Sequence, residues 1–273
     1  MNVVHISDMH FGNEDRPALD AAAGYIDDVK PDLVIASGDL TAVGSEREMI
    51  AAFDWLRGLS APALAVPGNH DTPYFDLIPR VLDPFGHFHR ACWGVETRAL
   101  VRDDLVVVPV NTARGVQFRK NWALGAISRS QIANAAETLR SAPPDALKLV
   151  VTHHPLAWPA ASPIKGTTRR GAKALRALIE AGADLFLSGH LHATDVRPIA
   201  LAGRHAAAIS AGTLSIRHRG EPGGFIAIRR KSPDRLEIER LYAVGNHAES
   251  GGITTLELTH APAGVHAAIE ETV

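Results

Sequence analysis

The chain has 273 residues, 46% of them hydrophobic and 21% charged, which supplies a sizeable core for one large domain and excludes a disordered chain. Lys and Arg total 28 against 30 Asp and Glu, a formal charge of −2, so there is no basic excess of the kind a dedicated duplex nucleic-acid binder uses to neutralise phosphates. A single cysteine, Cys92, excludes an internal disulfide and a thiolate-based zinc site and fits a reducing compartment.

Residues 3–7 (VVHIS) are apolar and β-branched and predict a buried strand, with Asp8 and His10 just past its end. No basic and apolar leader precedes this strand, and no apolar run reaches the roughly 18 residues of a membrane helix, so the expectation is a cytoplasmic protein without a membrane partner. Residues 16–29 carry helical periodicity, with Pro17 suited to the first turn and Lys30-Pro31 as a stop. Residues 32–37 predict the next strand, ending at Gly38-Asp39. Strand, helix, strand in this order predicts a parallel unit with its chemistry at the carboxyl ends of the strands. Ser45-Glu46-Arg47-Glu48 is a capping-box pattern opening a helix over residues 45–59. Residues 63–66 form a third strand, followed by Pro67-Gly68-Asn69-His70-Asp71. Three successive strands thus end in carboxylate, imidazole or amide, which argues for one shared site at one edge.

Residues 72–93 read as a mixed loop and short-helix region holding His87, His89 and Cys92, the histidines exposed or lightly packed. A strand pair follows over 97–101 and 105–111, with Asp103-Asp104 as its turn. Arg114, Arg119, Lys120 and Trp122 lie in the next loop, either reaching a substrate phosphate or facing solvent. A helix over 128–140 stops at Pro143-Pro144, and a strand over 147–152 ends at His153-His154-Pro155. An extended segment cannot point both histidines the same way, so one is expected to be a ligand and the other its neighbour. Residues 157–166 read as a lip over the site, and a helix over 168–181 carries Arg169 and Arg170 near its start. The apolar run 183–188 then leads to Gly189-His190-Leu191-His192, where glycine is expected for a sharp turn. Beyond it, segments near 195–201, 205–210, 225–230 and 236–243 predict an antiparallel meander forming a second sheet. Gly245-Asn246-His247 repeats the first Gly-Asn-His by coincidence, and residues 246–273 are a tail with one further strand over 253–258.

The candidate metal ligands are Asp8, His10, Asp39, Asn69, His153, His190 and His192. Seven mixed N/O ligands exceed one first-row ion and suit two divalent ions, manganese or iron ahead of zinc or cobalt. Two such ions, about 3.5–4 Å apart, acidify a bridging water and neutralise charge on a phosphoryl oxygen during in-line attack. His70 is placed to protonate the leaving alkoxide, with Asp71 as its orienting partner.

The blocks Asp8-x-His10, Gly38-Asp39, Gly68-Asn69-His70-Asp71, His153 and Gly189-His190-x-His192 together resemble the calcineurin-like metallophosphoesterase superfamily. Residues 212–222 (GTLSIRHRGEP) further resemble its bacterial class III, Icc-like cyclic-nucleotide phosphodiesterase branch. The resemblance implies an α/β fold, a four-layer αββα sandwich of two mixed β-sheets flanked by helices, over residues 1–245. It also implies one metal on Asp8, His10, Asp39 and His192, and a second on Asp39, Asn69, His153 and His190, with Asp39 bridging. His153 is preferred to His154 because the family ligand stands two residues before the proline, and His70 matches the family's leaving-group acid. No tyrosine follows Gly38-Asp39, a departure from the purple acid phosphatase branch. The expected activity is hydrolysis of a small phosphodiester such as a cyclic nucleotide or a glycerophosphodiester. The alternatives are a phosphomonoesterase, a nuclease or a non-catalytic scaffold. Nucleic acid is not the favoured substrate, and a homo-oligomer is open.

Overall fold

The computed structural model describes residues 1–117, 121–159, 162 and 164–258. The elements, in order, are β1 (Asn2–Ile6), α1 (Arg16–Val29), β2 (Leu33–Ala36), α2 (Glu46–Arg57), β3 (Ala63–Ala65), α3 (Leu77–Leu82), α4 (Gly86–Ala91), β4 (Leu100–Val101) and β5 (Leu105–Pro109). They continue as α5 (Arg129–Arg140), β6 (Leu147–Val151), α6 (Gly171–Glu180), β7 (Leu185–Ser188), β8 (Asp195–Leu201), β9 (Arg204–Ser210), β10 (Gly224–Ser232), β11 (Arg235–Val244) and β12 (His247–Glu257). The helix starts follow their sequence signals. Asp15 caps α1 with Pro17 in the first turn, and Ser45–Glu48 and Ser128–Gln131 each close a capping box.

Two six-stranded mixed sheets result, β12-β11-β10-β1-β2-β3 and β4-β5-β6-β7-β9-β8. Their strands read as continuous apolar runs because both faces are covered. Leu33 and Ile35 of β2, with Leu147, Leu149 and Val151 of β6, fill the space between the sheets. The alternate residues Val34 and Ala36 pack under α1 and α2, and Val150 and Phe186 pack under α5 and α6. The layers are therefore helix, sheet, sheet, helix, the architecture that the resemblance implies.

The antiparallel pairing expected of the C-terminal strands holds within β8–β9 and β10–β11–β12, but the second sheet they were expected to form needs correction. They build no sheet of their own. β10 pairs antiparallel with β1, while β9 pairs parallel with β7. Each of those parallel strands would otherwise leave a row of backbone donors and acceptors unpaired, and the late strands satisfy them. The tail strand is longer than expected, running from His247 along β11, with Gly245 (φ 61°) in the connecting turn. His247 is exposed beside Glu249, so the second Gly-Asn-His is a hairpin feature far from the site. Among the described residues no helix is long and apolar enough to cross a membrane.

Candidate metal centre

The loops after β1, β2, β3, β6 and β7 meet at one end of the sandwich. Backbone bonds lock the first two together: Asp8 N–H donates to Gly38 C=O at 3.0 Å and His10 N–H to Asp39 C=O at 3.0 Å. The carboxylates extend the lock, Asp8 Oδ2 accepting from His190 N–H at 2.8 Å and Asp39 Oδ1 from His70 N–H at 2.8 Å. Asp8, His10, Asp39, His190 and His192 all have positive φ, between 44° and 69°. That backbone costs a non-glycine residue about 1–2 kcal/mol, and five instances at one site mark a geometry imposed by the surrounding contacts.

Two glycines permit the close approach. Gly38, at φ 92°, would carry a Cβ within 2.8 Å of Gly68 N and His153 Nδ1. Gly189 has no positive φ. It is glycine because a Cβ would collide with Ser7 Oγ and Asp8 Oδ2, so close packing rather than turn geometry explains it.

The imidazoles are held from behind. Nδ1 of His10, His153 and His192 lies 3.1, 2.9 and 2.6 Å from the carbonyls of Thr41, Ser37 and Arg217. A proton on Nδ1 satisfies each carbonyl and leaves Nε2 as a bare lone pair. Nε2 of His10 and His192 then face each other at 3.3 Å. His192 Nε2 lies 3.1 Å from Asp8 Oδ1, and His153 Nε2 lies 3.2 Å from Asp39 Oδ2. Asp8 Oδ1 and His153 Nε2 are buried without a hydrogen-bond partner. Lone pairs and carboxylates gathered this closely need positive charge between them, and a cation supplies it.

The pKa values carry the same message. Burial pushes His10 and His190 down to about 3, so both are neutral donors of a lone pair. His153 is the exception: burial depresses it, but the neighbouring Asp39 carboxylate reverses this and holds it up at about 9, so without a cation its Nε2 keeps a proton facing Asp39. Asp8 and Asp39 resist the upward push of burial and lie below the usual carboxylate range, because His192 and His153 face them. Asp8, His10 and His192 form one group of converging ligand atoms; Asp8, Asp39 and His153 form another, and His153, His154 and His190 a third. The overlapping clusters suit a dinuclear centre.

The two adjacent histidines have different surroundings. His154 Nδ1 faces the Thr112 hydroxyl at 2.9 Å, while its Nε2 lies 2.8 Å from Ala123 C=O and 3.1 Å from Asn69 Oδ1. Both Nε2 neighbours are acceptors, so Nε2 carries the proton and has no lone pair to offer. Asp71 departs from its expected role. Its carboxylate accepts from the backbone N–H groups of Leu40, Thr41 and Gly68 and from the Thr41 hydroxyl, at 2.7–3.2 Å. It thereby pins the loop after β2 to the loop after β3. Burial, with Asp39 nearby, raises it to about 6. The acceptor that orients the His70 ring is Ala42 C=O, 2.6 Å from Nδ1.

Among the basic residues singled out in the sequence, Arg114 is tied to Asn111 C=O, Ala113 C=O and Gln131, and Arg170 to Ile127 C=O. Arg119 and Lys120 lie outside the described residues, as do parts of the expected lip. The basic side chains at the site are instead Arg217 and Arg219, with the exposed Lys165 at its edge. With Asp39, Asn69, His70, His190 and His192 they line a cavity of about 210 Å³. Both arginines stand inside the motif at residues 212–222, whose charge pattern, Arg-His-Arg after a short apolar segment, is the one signal that marked them.

The calcineurin-like phosphoesterase family model matches residues 1–194. The chain is 33% identical over 82 residues to a probable cyclic nucleotide phosphodiesterase of Synechococcus, covering 27% of this chain and 32% of that protein. It is 37% identical over 82 residues to the glycerophosphodiester phosphodiesterase GpdQ of Enterobacter lignolyticus, covering 26% and 30%. The matched stretch thus spans about a third of each relative's length. A dimetal phosphatase from Danio rerio has a similar fold, with a TM-score of 0.67 at 13% identity over 95% of this chain and 99% of that one. With the family model matching most of its length, the chain belongs to the calcineurin-like phosphoesterase family.

Proposed function

We propose that the protein is a dinuclear-metal-dependent phosphodiester hydrolase acting on a small diester, such as a cyclic nucleotide or a glycerophosphodiester. The observation that carries this reading is the convergence of bare Nε2 atoms and two buried carboxylates on one point. His10 and His192 Nε2 lie 3.3 Å apart, with Asp8 Oδ1 3.1 Å from His192. Asp8, His10, Asp39 and His192 would hold one ion, and Asp39, Asn69, His153 and His190 the other. Manganese or iron suits this N/O set, and zinc or cobalt is compatible. Two bound ions would supply an acidified water as nucleophile and positive charge for the phosphoryl oxygens.

The remaining chemistry belongs to the chain. His70 Nδ1 is held by Ala42 C=O, which leaves Nε2 facing the cavity as the atom that hands a proton to the leaving alkoxide. Arg217 Nη1 now donates to that atom at 3.1 Å, so the acid form requires the contact to open. Asp71 contributes by fixing the two loops that carry Asp39, Asn69 and His70. The choice of a diester is supported by space. Past Asn69 and His70 the cavity continues into a recess of about 640 Å³ lined by Tyr74, Leu77 and Trp122, which accommodates the second alcohol. The names of the two relatives point the same way.

The test is hydrolysis of bis(p-nitrophenyl) phosphate by metal-stripped protein with Mn²⁺, Fe²⁺, Zn²⁺ or Co²⁺ restored, alongside Asp39→Ala. Metal-dependent turnover that the substitution abolishes is expected. Turnover of the monoester alone would replace the reading with a phosphatase. A protein that binds two ions and turns over neither would be a scaffold.

A further inference from the structure

Arg217 and Arg219 sit on the loop between β9 and β10, and nothing in the metal centre accounts for their charge. Arg217 reaches His70 Nε2 at 3.1 Å and lies 3.4 Å from His10 Nδ1, both uncharged nitrogens in this arrangement. Arg219 Nη1 is buried without a hydrogen-bond partner although its side chain lines the cavity. The carboxylates that act on Arg219 are Asp8 and Asp39, which are themselves candidate metal ligands. Half-buried Arg229, by contrast, donates to Glu239 and Tyr25, and Arg197, whose Nε is also buried without a partner, places both terminal nitrogens on the carbonyls of Ala157 and Trp158.

Charge balance sharpens the contrast. The Asp8 and Asp39 carboxylates offset half the charge of two divalent ions, and an ionised water with a singly charged diester offsets the rest. Two guanidinium charges, with the exposed Lys165 ammonium beside them, then face the cavity with no counter-charge. A guanidinium presents its N–H groups in a planar fork that matches phosphate or carboxylate oxygens, and a buried donor left unpaired is costly.

We propose that Arg217 and Arg219 form a second anion subsite beside the metal centre, and that the substrate is a phosphodiester carrying a further anionic group, a phosphate or a carboxylate, on one of its alcohols. The proposal rests on the phosphodiesterase reading above and narrows its substrate.

The test compares three p-nitrophenyl phosphodiesters whose second alcohol is methanol, a phosphoethyl group or a carboxyethyl group, hydrolysed by the manganese-loaded full chain. At least one two-charge diester should exceed the methyl diester in kcat/KM by about tenfold or more, the effect of one charge-assisted contact. Which one does so identifies the anion. Arg219→Gln should lower kcat/KM for that diester about tenfold more than for the methyl diester, and Arg219→Lys should retain part of the preference. A second arm measures binding of propylphosphonate, phosphonopropanoate and propanediphosphonate to the same metal-loaded protein by calorimetry. The extra anion should tighten binding in the wild type and cease to do so in Arg219→Gln, while propylphosphonate binding reports that the variant keeps its site. Turnover without any two-charge preference, or an equal loss on all three diesters, would overturn the subsite and leave the phosphodiesterase reading standing. Charge-selective binding that depends on Arg219, without turnover of any diester, would keep the subsite and overturn that reading. Absence of selectivity in both arms sinks the proposal.

Discussion

His154 Nε2 lies 3.1 Å from Asn69 Oδ1 across the gap between the two sheets, so one member of the histidine pair orients the amide while the other, His153, faces Asp39 at 3.2 Å. This division has a measurable consequence. His154→Ala should leave the metal centre formed but loosely aligned, lowering second-metal affinity or kcat about 10–100-fold, the usual effect of losing an outer-shell partner. His153→Ala should abolish binding of one ion outright. Metal titration of both variants, read as stoichiometry and affinity, separates the roles. Equal loss of an ion in both would assign His154 as a ligand.

His70 should act on the leaving group rather than on metal binding. His70→Gln is expected to lower kcat on alkyl diesters by about 10²–10⁴-fold. The loss should be much smaller on p-nitrophenyl diesters, whose leaving group needs no proton. A loss independent of leaving-group basicity would remove the acid role.

Gly189 supports the site by having no side chain. Gly189→Ala drives a methyl into Ser7 and Asp8, and overpacking of this kind costs about 1–3 kcal/mol. Asp8 must shift for the methyl to fit, so metal affinity should fall together with the denaturation midpoint. Thermal melts with and without added metal check this. An unchanged melt would show that the loops after β1 and β7 can separate freely.

Stability of the metal-free protein should fall in acid partly through His5. This side chain is fully buried on β1, accepts or donates one hydrogen bond to Ser37 Oγ at 2.8 Å, and leaves Nδ1 without a partner. Burial, opposed only by Asp8, lowers it from 6.5 to about 3. The unfolded chain therefore binds a proton first as the pH drops. The stabilisation is complete above pH 6.5 and is lost progressively down to about pH 3. One proton corresponds to about 1.4 kcal/mol per pH unit, so His5→Gln should flatten the pH dependence of urea-unfolding free energy between pH 4 and 6 by about that slope. Identical slopes in the two proteins would contradict it.

The fold was largely legible in local signals. The helices over 16–29, 45–59 and 128–140 begin within a residue of where their periodicity and the Ser45 capping box place them, and the strands leading to Asp8, Asp39, Asn69, His153 and His190 are where the apolar runs place them. The destination of the late strands was not legible. Residues 205–210 and 225–230 are similar short, mainly apolar segments, yet one strand extends β7 and the other β1. The pattern records how many faces a strand buries and not which edge it joins. Asp71 shows the same limit at the site. Standing next to His70 suggested a partner, but the chain turns between them and directs the carboxylate to the amides of Leu40 and Thr41.

The sequence by itself determined the residue types at each strand end, the helical and strand segments and the family, because caps, periodicity and motif spacing all act within a few residues. Tertiary structure alone decided the left-handed backbone at five candidate ligands, the carbonyls that set each imidazole tautomer, and the arrival of Arg217 and Arg219 on the cavity. Those features depend on contacts such as His190 N–H to Asp8 Oδ2, 182 residues apart, which form only once the two sheets have packed. No local preference encodes the outcome of that packing.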